Sequence, residues 1–172
     1  MPFEFKILVL NIRIYPMHKK SYTISEARLK AEHYCIYQDR CQYELEVKLK
    51  EMGMIPLAVD EILIDLIQND FVNEERFARS YTRGKYRIMK WGRIKIKQGL
   101  KAKRISDYCI KKGWEEIDLD EYFTILEQLA QSKWAVTKGS NYEKYGKVKR
   151  FLWSRGFETD LISEVLSVLV EN

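Results

Sequence analysis

Apolar residues recur along this chain with a period of about 51 residues. Leu49, Leu100 and Leu152 are separated by 51 and 52 positions, and the same offsets link three further apolar columns. These columns are Leu45, Ile96 and Val148; Val59, Ile110 and Ile162; and Ala27, Ala78 and Ala130. A fixed period of this length is typical of repeat architectures, so the pattern predicts three copies of one structural unit. Gly53 and Gly156 stand at matching places, as expected for the ends of helices.

Each copy divides into three predicted helices. They run over Ile24–Tyr37, Gln42–Met52 and from Pro56 onward; over Asn73–Met89, Gly92–Lys103 and Ser106–Lys112; and over Leu119–Ala135, Tyr142–Ser154 and Thr159–Val170. Ser106 and Thr159 are suitable N-cap residues. The predicted fold is therefore all-α, with three tandem three-helix repeats in an elongated stack, straight or curved. We divide the chain into an N-terminal extension (1–20) and repeats over 21–72, 73–117 and 118–172.

Composition agrees with a helical protein and excludes several classes. Only 8 Gly and 3 Pro occur in 172 residues, too few for a many-stranded barrel or sandwich. Three cysteines and two histidines exclude a disulfide framework, a zinc finger and a histidine-based triad. The longest apolar run near the N-terminus, residues 7–10, is too short to span a membrane, so a cytoplasmic protein is expected. Residues 1–16 are either an upstream extension before a start at Met17, or a strand or apolar tail packed on the domain.

Positive charge is concentrated in the second repeat. The net charge is +5, but residues 76–112 contain 14 basic residues and a single acid, Asp107, so this window carries +13. Helical spacing places five of these cations on one face of a helix; they are Arg76, Arg79, Arg83, Arg87 and Lys90. Phe77, Tyr81 and Ile88 lie on another face and are expected to pack inward. A block of like charge predicts a polyanion or an acidic surface as partner.

Two readings of this charge remain open. The cations either face a partner or pair with an acidic run in the same chain, formed by Glu115, Glu116, Asp118, Asp120, Glu121 and Glu127. The third repeat adds a weaker basic group: Lys138, Lys144, Lys147, Lys149, Arg150 and Arg155. The aromatic residues among these cations either stack on unpaired bases or pack between helices, and packing is the preferred interpretation; they are Tyr86, Trp91, Tyr142, Tyr145 and Trp153.

An enzyme is not indicated. No glycine-rich phosphate loop and no spaced carboxylate pair is found, so we predict no catalytic, cofactor or metal site. Cys35, Cys41 and Cys109 are expected to be buried, inert thiols, and His33 a packing residue.

Several segments resemble the RecX family of recombination regulators. The run FVNEERFARSY at residues 71–81 is similar to the family signature, as is its continuation KWGRIKI at 90–96. KVKRFLWSRGF at 147–157 and DLISEVL at 160–166 resemble the last repeat of the family, and QYELEVKL at 42–49 resembles the first. The likeness covers about residues 21–170. One departure is that Arg104 stands where the other repeats have Gly53 and Gly156, so that helix end requires another stop signal.

The resemblance implies three tandem three-helix repeats and a non-enzymatic modulator of the RecA recombinase. Such a protein is expected to bind in the groove of the RecA–single-stranded DNA filament and to inhibit ATP hydrolysis, recombinase activity and strand exchange, thereby modulating DNA repair and the SOS response. It is expected to be a monomer that needs no cofactor or membrane and that contacts single-stranded, and also duplex, DNA without sequence preference. The alternative is a nonspecific DNA-binding helical protein without RecA regulation. The predicted contact residues are Arg76, Arg79, Arg83, Arg87, Lys90, Arg93, Lys95, Lys97, Lys101, Lys103, Arg104, Lys147 and Arg150.

Overall fold

The computed structural model describes residues 22–171, and this part of the chain is built from nine α-helices without a strand. In chain order the helices are α1 (Ile24–Tyr37), α2 (Gln42–Glu51), α3 (Pro56–Gln68), α4 (Glu74–Arg87), α5 (Arg93–Ala102), α6 (Asp107–Trp114), α7 (Leu119–Val136), α8 (Asn141–Ser154) and α9 (Thr159–Glu171). The predictions for residues 1–20, including a start at Met17, lie outside the described residues.

The helices pack in three consecutive groups of three. In the first unit α1 packs against α2 and α3, in the second α4 packs against α5 and α6, and in the third α7, α8 and α9 pack against one another. The predicted all-helical fold is confirmed, and the helix bounds differ from the predicted ones by no more than about two residues. None of the helices in residues 22–171 combines the length and apolar character needed to cross a bilayer.

The four apolar columns of the sequence form the centre of each unit. All twelve of their residues are at most 2% exposed. The columns belong to corresponding helices of the three units, which explains why their spacing is constant along the chain.

Side chains cap most helix starts. Ser106 accepts a hydrogen bond from the Cys109 amide at 3.2 Å, which confirms its predicted N-cap role. The same role predicted for Thr159 is wrong, because α9 begins at Thr159 itself. Glu158, which precedes Thr159, accepts a hydrogen bond from the Ile162 amide through its carbonyl oxygen at 3.0 Å.

A left-handed residue follows the second helix of each unit. Gly53 and Gly156 both have φ of +85°, where glycine is favoured because it has no Cβ. Arg104, at the matching place of the second unit, adopts φ of +62°. Arginine therefore makes the same turn as glycine, and the additional stop signal expected here is not needed. Its guanidinium lies 4.6 Å from the ring centroid of Tyr43 and 3.3 Å from a carboxylate oxygen of Glu46.

The second and third units share one hydrophobic core. It runs from Phe77 of α4 through Ile105 and Tyr122 to Leu166 of α9, whereas the first unit has a separate core around α1–α3. Two residues of the first unit contact the shared core instead: Cys41 is buried in it, and the partly buried Tyr43 packs against it.

Backbone hydrogen bonds join the second unit to the third. The Gly92 amide donates to the Arg155 carbonyl at 2.9 Å, and the Ile94 amide donates to the Gly156 carbonyl at 3.0 Å. The free N–H groups at the start of α5 therefore bind the free C=O groups at the end of α8. The Tyr122 hydroxyl accepts from the Arg93 amide at 2.9 Å and donates to Glu158 at 2.7 Å.

Ion pairs join the first unit to the second. Lys103 binds Glu44 at 2.6 Å, Arg104 binds Glu46 at 3.3 Å, and Arg76 binds Asp39 at 3.0 Å. No backbone–backbone hydrogen bond links these two units within residues 22–171. The polar contacts of the first junction are thus made by side chains, whereas the second junction adds backbone hydrogen bonds to its side-chain contacts.

Candidate interaction surface

The arginines of α4 face carboxylates of the same chain. Asn73 caps the helix by accepting a hydrogen bond from the Arg76 amide at 3.0 Å. After Arg76, the arginines of α4 reach carboxylates of the α6–α7 connection and of the first turn of α7. Arg79 contacts three carboxylates: Glu75 at 2.9 Å, Glu115 at 2.6 Å and Glu116 at 3.1 Å. Hydrogen bonds from Lys112 and Arg79 lower the pKa of the Glu115 carboxyl group below its usual value.

The next two arginines along α4 are also paired with carboxylates. Arg83 binds Glu116 at 2.7 Å, and Arg87 binds Glu121 at 2.9 Å. Small residues bring the elements this close, since a Cβ added to Gly113 of α6 would lie only 2.7 Å from the Thr82 hydroxyl oxygen of α4. Of the two interpretations of the basic residues, pairing with the acidic run is the one that the structure shows for Arg79, Arg83 and Arg87.

Eight of the thirteen predicted contact residues have carboxylate partners. Besides the arginines of α4, Arg93 binds Glu158 at 2.6 Å and Lys101 binds Asp107 at 2.9 Å. Arg76 binds Asp70 at 2.8 Å in addition to Asp39. The paired residues are Arg76, Arg79, Arg83, Arg87, Arg93, Lys101, Lys103 and Arg104. Most of the charge expected to face a partner is therefore matched inside the chain.

The other five predicted contact residues form no salt bridge within residues 22–171: Lys90, Lys95, Lys97, Lys147 and Arg150. Two of them bind backbone carbonyls instead. The Lys95 ammonium donates to Ser154 at 3.2 Å, and the Lys147 ammonium donates to Lys138 at 3.0 Å. Because a backbone carbonyl carries no net charge, the positive charge of Lys95 and Lys147 remains available to an anion.

A basic cleft lies between the C-terminal part of α7 and one face of α8. It has a volume of about 590 Å³ and is lined by Lys133, Lys138, Lys147 and Arg150, with Phe151 and Ser154, and no carboxylate is among its lining residues. The Lys133 ammonium lies 5.3 Å from the Phe151 ring centroid. Lys95 of the second unit reaches the edge of the cleft through its bond to Ser154. We call this group of residues the basic cleft.

The basic cleft belongs to the repeat whose charge the sequence had ranked as weaker. A signal was present, because residues 128–157 contain seven basic residues and only one acid, Glu143. Glu143 accepts a hydrogen bond from the Ser140 amide at 2.9 Å, which lowers its pKa and engages its carboxylate in capping α8. Lys147 and Arg150 of this cleft were predicted as contact residues, whereas Lys133 and Lys138 were not, because the larger net charge of the second repeat drew the prediction there.

Aromatic and apolar predictions have mixed outcomes. Tyr86 is fully buried, and Trp91 and Tyr145 are partly buried against the core. Tyr142 and Trp153 are 90% and 64% exposed, so the packing interpretation is wrong for them.

The apolar face predicted for α4 is only half correct. Phe77 is buried and Tyr81 packs against the core, but Ile88, expected to point inward, is 79% exposed.

The three cysteines are buried and free, as predicted. Burial raises the pKa of the Cys35 thiol to about 11, which keeps it protonated and unreactive. Within residues 22–171 no group of His, Cys, Asp and Glu is arranged to hold a metal ion.

Comparisons with known proteins agree with this architecture. Family models for the second and third three-helix domains of RecX match residues 73–113 and 120–166. The regulatory protein RecX of Vibrio campbellii is 28% identical over 130 residues, which cover 76% of this chain and 83% of that protein. A regulatory protein RecX of Clostridium perfringens is 30% identical over 137 residues, covering 77% of this chain and 63% of that protein.

Solved structures show the same fold. The crystal structure of RecX from Lactobacillus salivarius has a TM-score of 0.73 and 27% identity, and the match covers 85% of this chain and 96% of that one. A second RecX crystal structure has a TM-score of 0.72 at 22% identity, a likeness that concerns the fold alone. Together the two domain models account for half of the sequence, and the chain belongs to the RecX family of regulatory proteins.

Proposed function

We propose that this protein regulates the RecA recombinase by binding in the groove of the RecA–single-stranded DNA filament. Binding inhibits ATP hydrolysis and strand exchange and thereby modulates DNA repair and the SOS response. Membership of a regulatory family and the resemblance of its repeats support this role, in which the chain itself has no catalytic part.

The observation that carries the proposal is the basic cleft. Its four cations have no acidic neighbour in the lining, and crowding of like charge is relieved when an anion enters. A filament groove offers DNA phosphates at close spacing, which lysine and arginine bind as counterions. In this proposal Lys95, Lys147 and Arg150 contact phosphate, with Lys133 and Lys138 beside them.

The test is DNA-stimulated ATP hydrolysis by RecA on single-stranded DNA, titrated with this protein. We expect inhibition well below the concentration that coats the DNA. The double variant Lys147→Glu/Arg150→Glu is expected to need at least about ten times more protein, since two phosphate contacts become repulsive. Lys30→Glu/Lys50→Glu, an equal charge change on exposed lysines of the first unit, is the matched control and is expected to inhibit like the wild type.

The nonspecific DNA binder is the competing function, and the same cleft favours it. In that case inhibition begins only when this protein saturates the DNA. The inhibition then disappears when the RecA concentration is raised while the coverage of the DNA by this protein is held constant. Losing two contacts to single-stranded DNA also lowers the slope of log affinity against log salt by about 1.4. The slope identifies the cleft as the DNA contact, whereas the onset of ATPase inhibition decides between regulator and plain DNA binder.

A further inference from the structure

A second concave surface lies between the first and second units. One wall is formed by Phe77, Tyr81 and Gly84 of α4 and by Ile88, which directly follows this helix; the four residues recur at helical spacing. Gln38 and Glu44 of the first unit line the opposite side, with a volume of about 380 Å³ between them. We call this surface the inter-unit groove.

The apolar face of α4 continues beyond the core. Phe77 is 3% exposed, whereas Ile88 is 79% exposed and the adjacent Met89 47% exposed. Both exposed residues line the inter-unit groove. A contiguous apolar patch beside a groove is typical of an interaction site rather than of ordinary surface.

Gly84 leaves the helix backbone open at the centre of this patch. A Cβ at this position would meet no atom within 4 Å, so no packing inside the chain requires glycine. Glycine in a helix interior costs about 1 kcal/mol relative to alanine. A partner that approaches the α4 backbone closely would require glycine here, which gives a physical reason for glycine despite its cost to helix stability.

The charges around the groove indicate the kind of partner. The Lys85 ammonium lies 5.1 Å from the Tyr81 ring centroid and 4.8 Å from that of Trp91, and it has no carboxylate partner within residues 22–171. The carboxylate of Glu44 is already bound by Lys103 at 2.6 Å. The rim therefore attracts negative charge, while the floor is apolar.

Nucleic acid does not match this combination, because phosphates satisfy the lysine but leave Ile88 and Met89 in water. An apolar side chain flanked by carboxylates satisfies both parts of the surface. We propose that the inter-unit groove docks an exposed apolar side chain with flanking Asp or Glu on a RecA protomer. The identity of this partner rests on the function proposed above. The protein contact then lies between the first and second units, whereas the phosphate contact lies on the third unit with Lys95 of the second beside it.

The experiment measures binding of the labelled full chain to RecA filaments on oligo-dT and, separately, to oligo-dT alone. Gly84→Leu places a side chain over the groove and is expected to weaken filament binding at least tenfold without changing binding to the bare oligonucleotide. Gly146→Leu is the matched control, since Gly146 is also a glycine inside a helix with no atom within 4 Å of its Cβ position but does not line the groove. Circular dichroism checks that both variants keep their helix content.

Ile88→Asp is a second variant with little risk to the fold, because the side chain is mostly exposed. It removes the apolar contact and repels an acidic partner, so it is expected to weaken filament binding as Gly84→Leu does. Wild-type affinity of both variants for filaments would overturn the groove proposal and leave RecA regulation standing. An equal loss on bare oligo-dT would show that the occupant is nucleic acid, which also overturns it. Wild-type protein that binds filaments no better than DNA would refute RecA regulation, and with it the assigned partner.

Discussion

Replacing Gly92 by alanine tests whether the backbone junction holds the second and third units together. A methyl group on Gly92 would overlap the carbonyl group of Gly156 and the amide nitrogen of Phe157. Both are backbone groups, so no side-chain rotation relieves the overlap. The start of α5 must therefore move away from the end of α8.

The cost follows from the contacts that this movement breaks. Two backbone hydrogen bonds, from Gly92 to Arg155 and from Ile94 to Gly156, contribute about 1 kcal/mol each. Loss of the Tyr122 hydroxyl contact to the Arg93 amide adds roughly 1 kcal/mol. Alanine at an N-cap position costs up to about 1 kcal/mol more. We expect the free energy of unfolding to fall by about 3–4 kcal/mol, a large share of the roughly 5–15 kcal/mol typical of a domain.

Urea unfolding followed by far-ultraviolet circular dichroism measures this change. Gly84→Ala is the control, because its methyl group meets no atom and alanine favours the helix, so stability is expected to rise by about 1 kcal/mol. If Gly92→Ala unfolds within about 0.5 kcal/mol of the wild type, as an ordinary surface substitution does, the junction does not hold the two units and the reasoning fails.

Three further predictions concern the helix ends and the ion pairs. Gly53→Ala is expected to lower the free energy of unfolding by about 1 kcal/mol, because alanine is strained at φ of +85°. Arg104→Gly is expected to leave the free energy of unfolding unchanged or to raise it. Urea unfolding of both variants measures these changes, and a lower free energy of unfolding for Arg104→Gly would contradict the reasoning. Arg79→Ala is expected to lower Tm, because three carboxylates lose their common partner, while Lys147→Ala is expected to keep the wild-type Tm; equal Tm values for all three proteins in a thermal melt would refute this. The depressed pKa of Glu115 stabilises the fold above its ordinary value of 4.5, and this contribution is lost as pH falls through the lower folded-state pKa; Glu115→Gln is expected to flatten that part of the stability–pH curve, and an unchanged curve would count against it.

The core could be predicted from the sequence because it depends on local geometry. Buried positions of a helix recur with its 3.6-residue turn, and a repeated unit recurs with the length of the unit. Leu49, Leu100 and Leu152 obey both periods, and all three are fully buried. Turn residues such as Pro56 and Ser106 then placed the helix starts.

The carboxylate partners of the basic residues could not be predicted in the same way, because ion pairs depend on which helices pack against each other. Arg79 and Glu115 are 36 residues apart and come together only because Thr82 and Gly113 allow α4 and α6 to approach closely. The sequence contains the acidic run, but net charge over a window gives no distances. Ile88 presents a similar case, since periodicity assigns it a face of α4 but does not say where the core beside that face ends.

Arg104 shows where analogy between repeats is insufficient. Glycine in two of three repeats correctly indicates a left-handed turn at Gly53 and Gly156. A side chain at the third such turn costs roughly 1–2 kcal/mol. In the second unit the guanidinium stacks on Tyr43 and approaches Glu46, contacts across the junction that glycine cannot make. The residue thus joins two units as well as ending a helix, and only the junction reveals this second role.

The position of the second unit explains why its large positive charge is mostly internal. A middle unit has two neighbours, and its cations bind carboxylates in both directions: Arg76, Lys103 and Arg104 toward the first unit, and Arg87 and Arg93 toward the third. Within residues 22–171 the third unit touches one neighbouring unit, and the lysines and arginines of the basic cleft have no carboxylate in its lining. Salt therefore screens ion pairs at both junctions, and we expect it to compete for the phosphate contacts proposed at the cleft. The backbone hydrogen bonds between the second and third units are not ion pairs and are not screened in this way, so they keep the cleft and the helix that lines the inter-unit groove in one fixed relation.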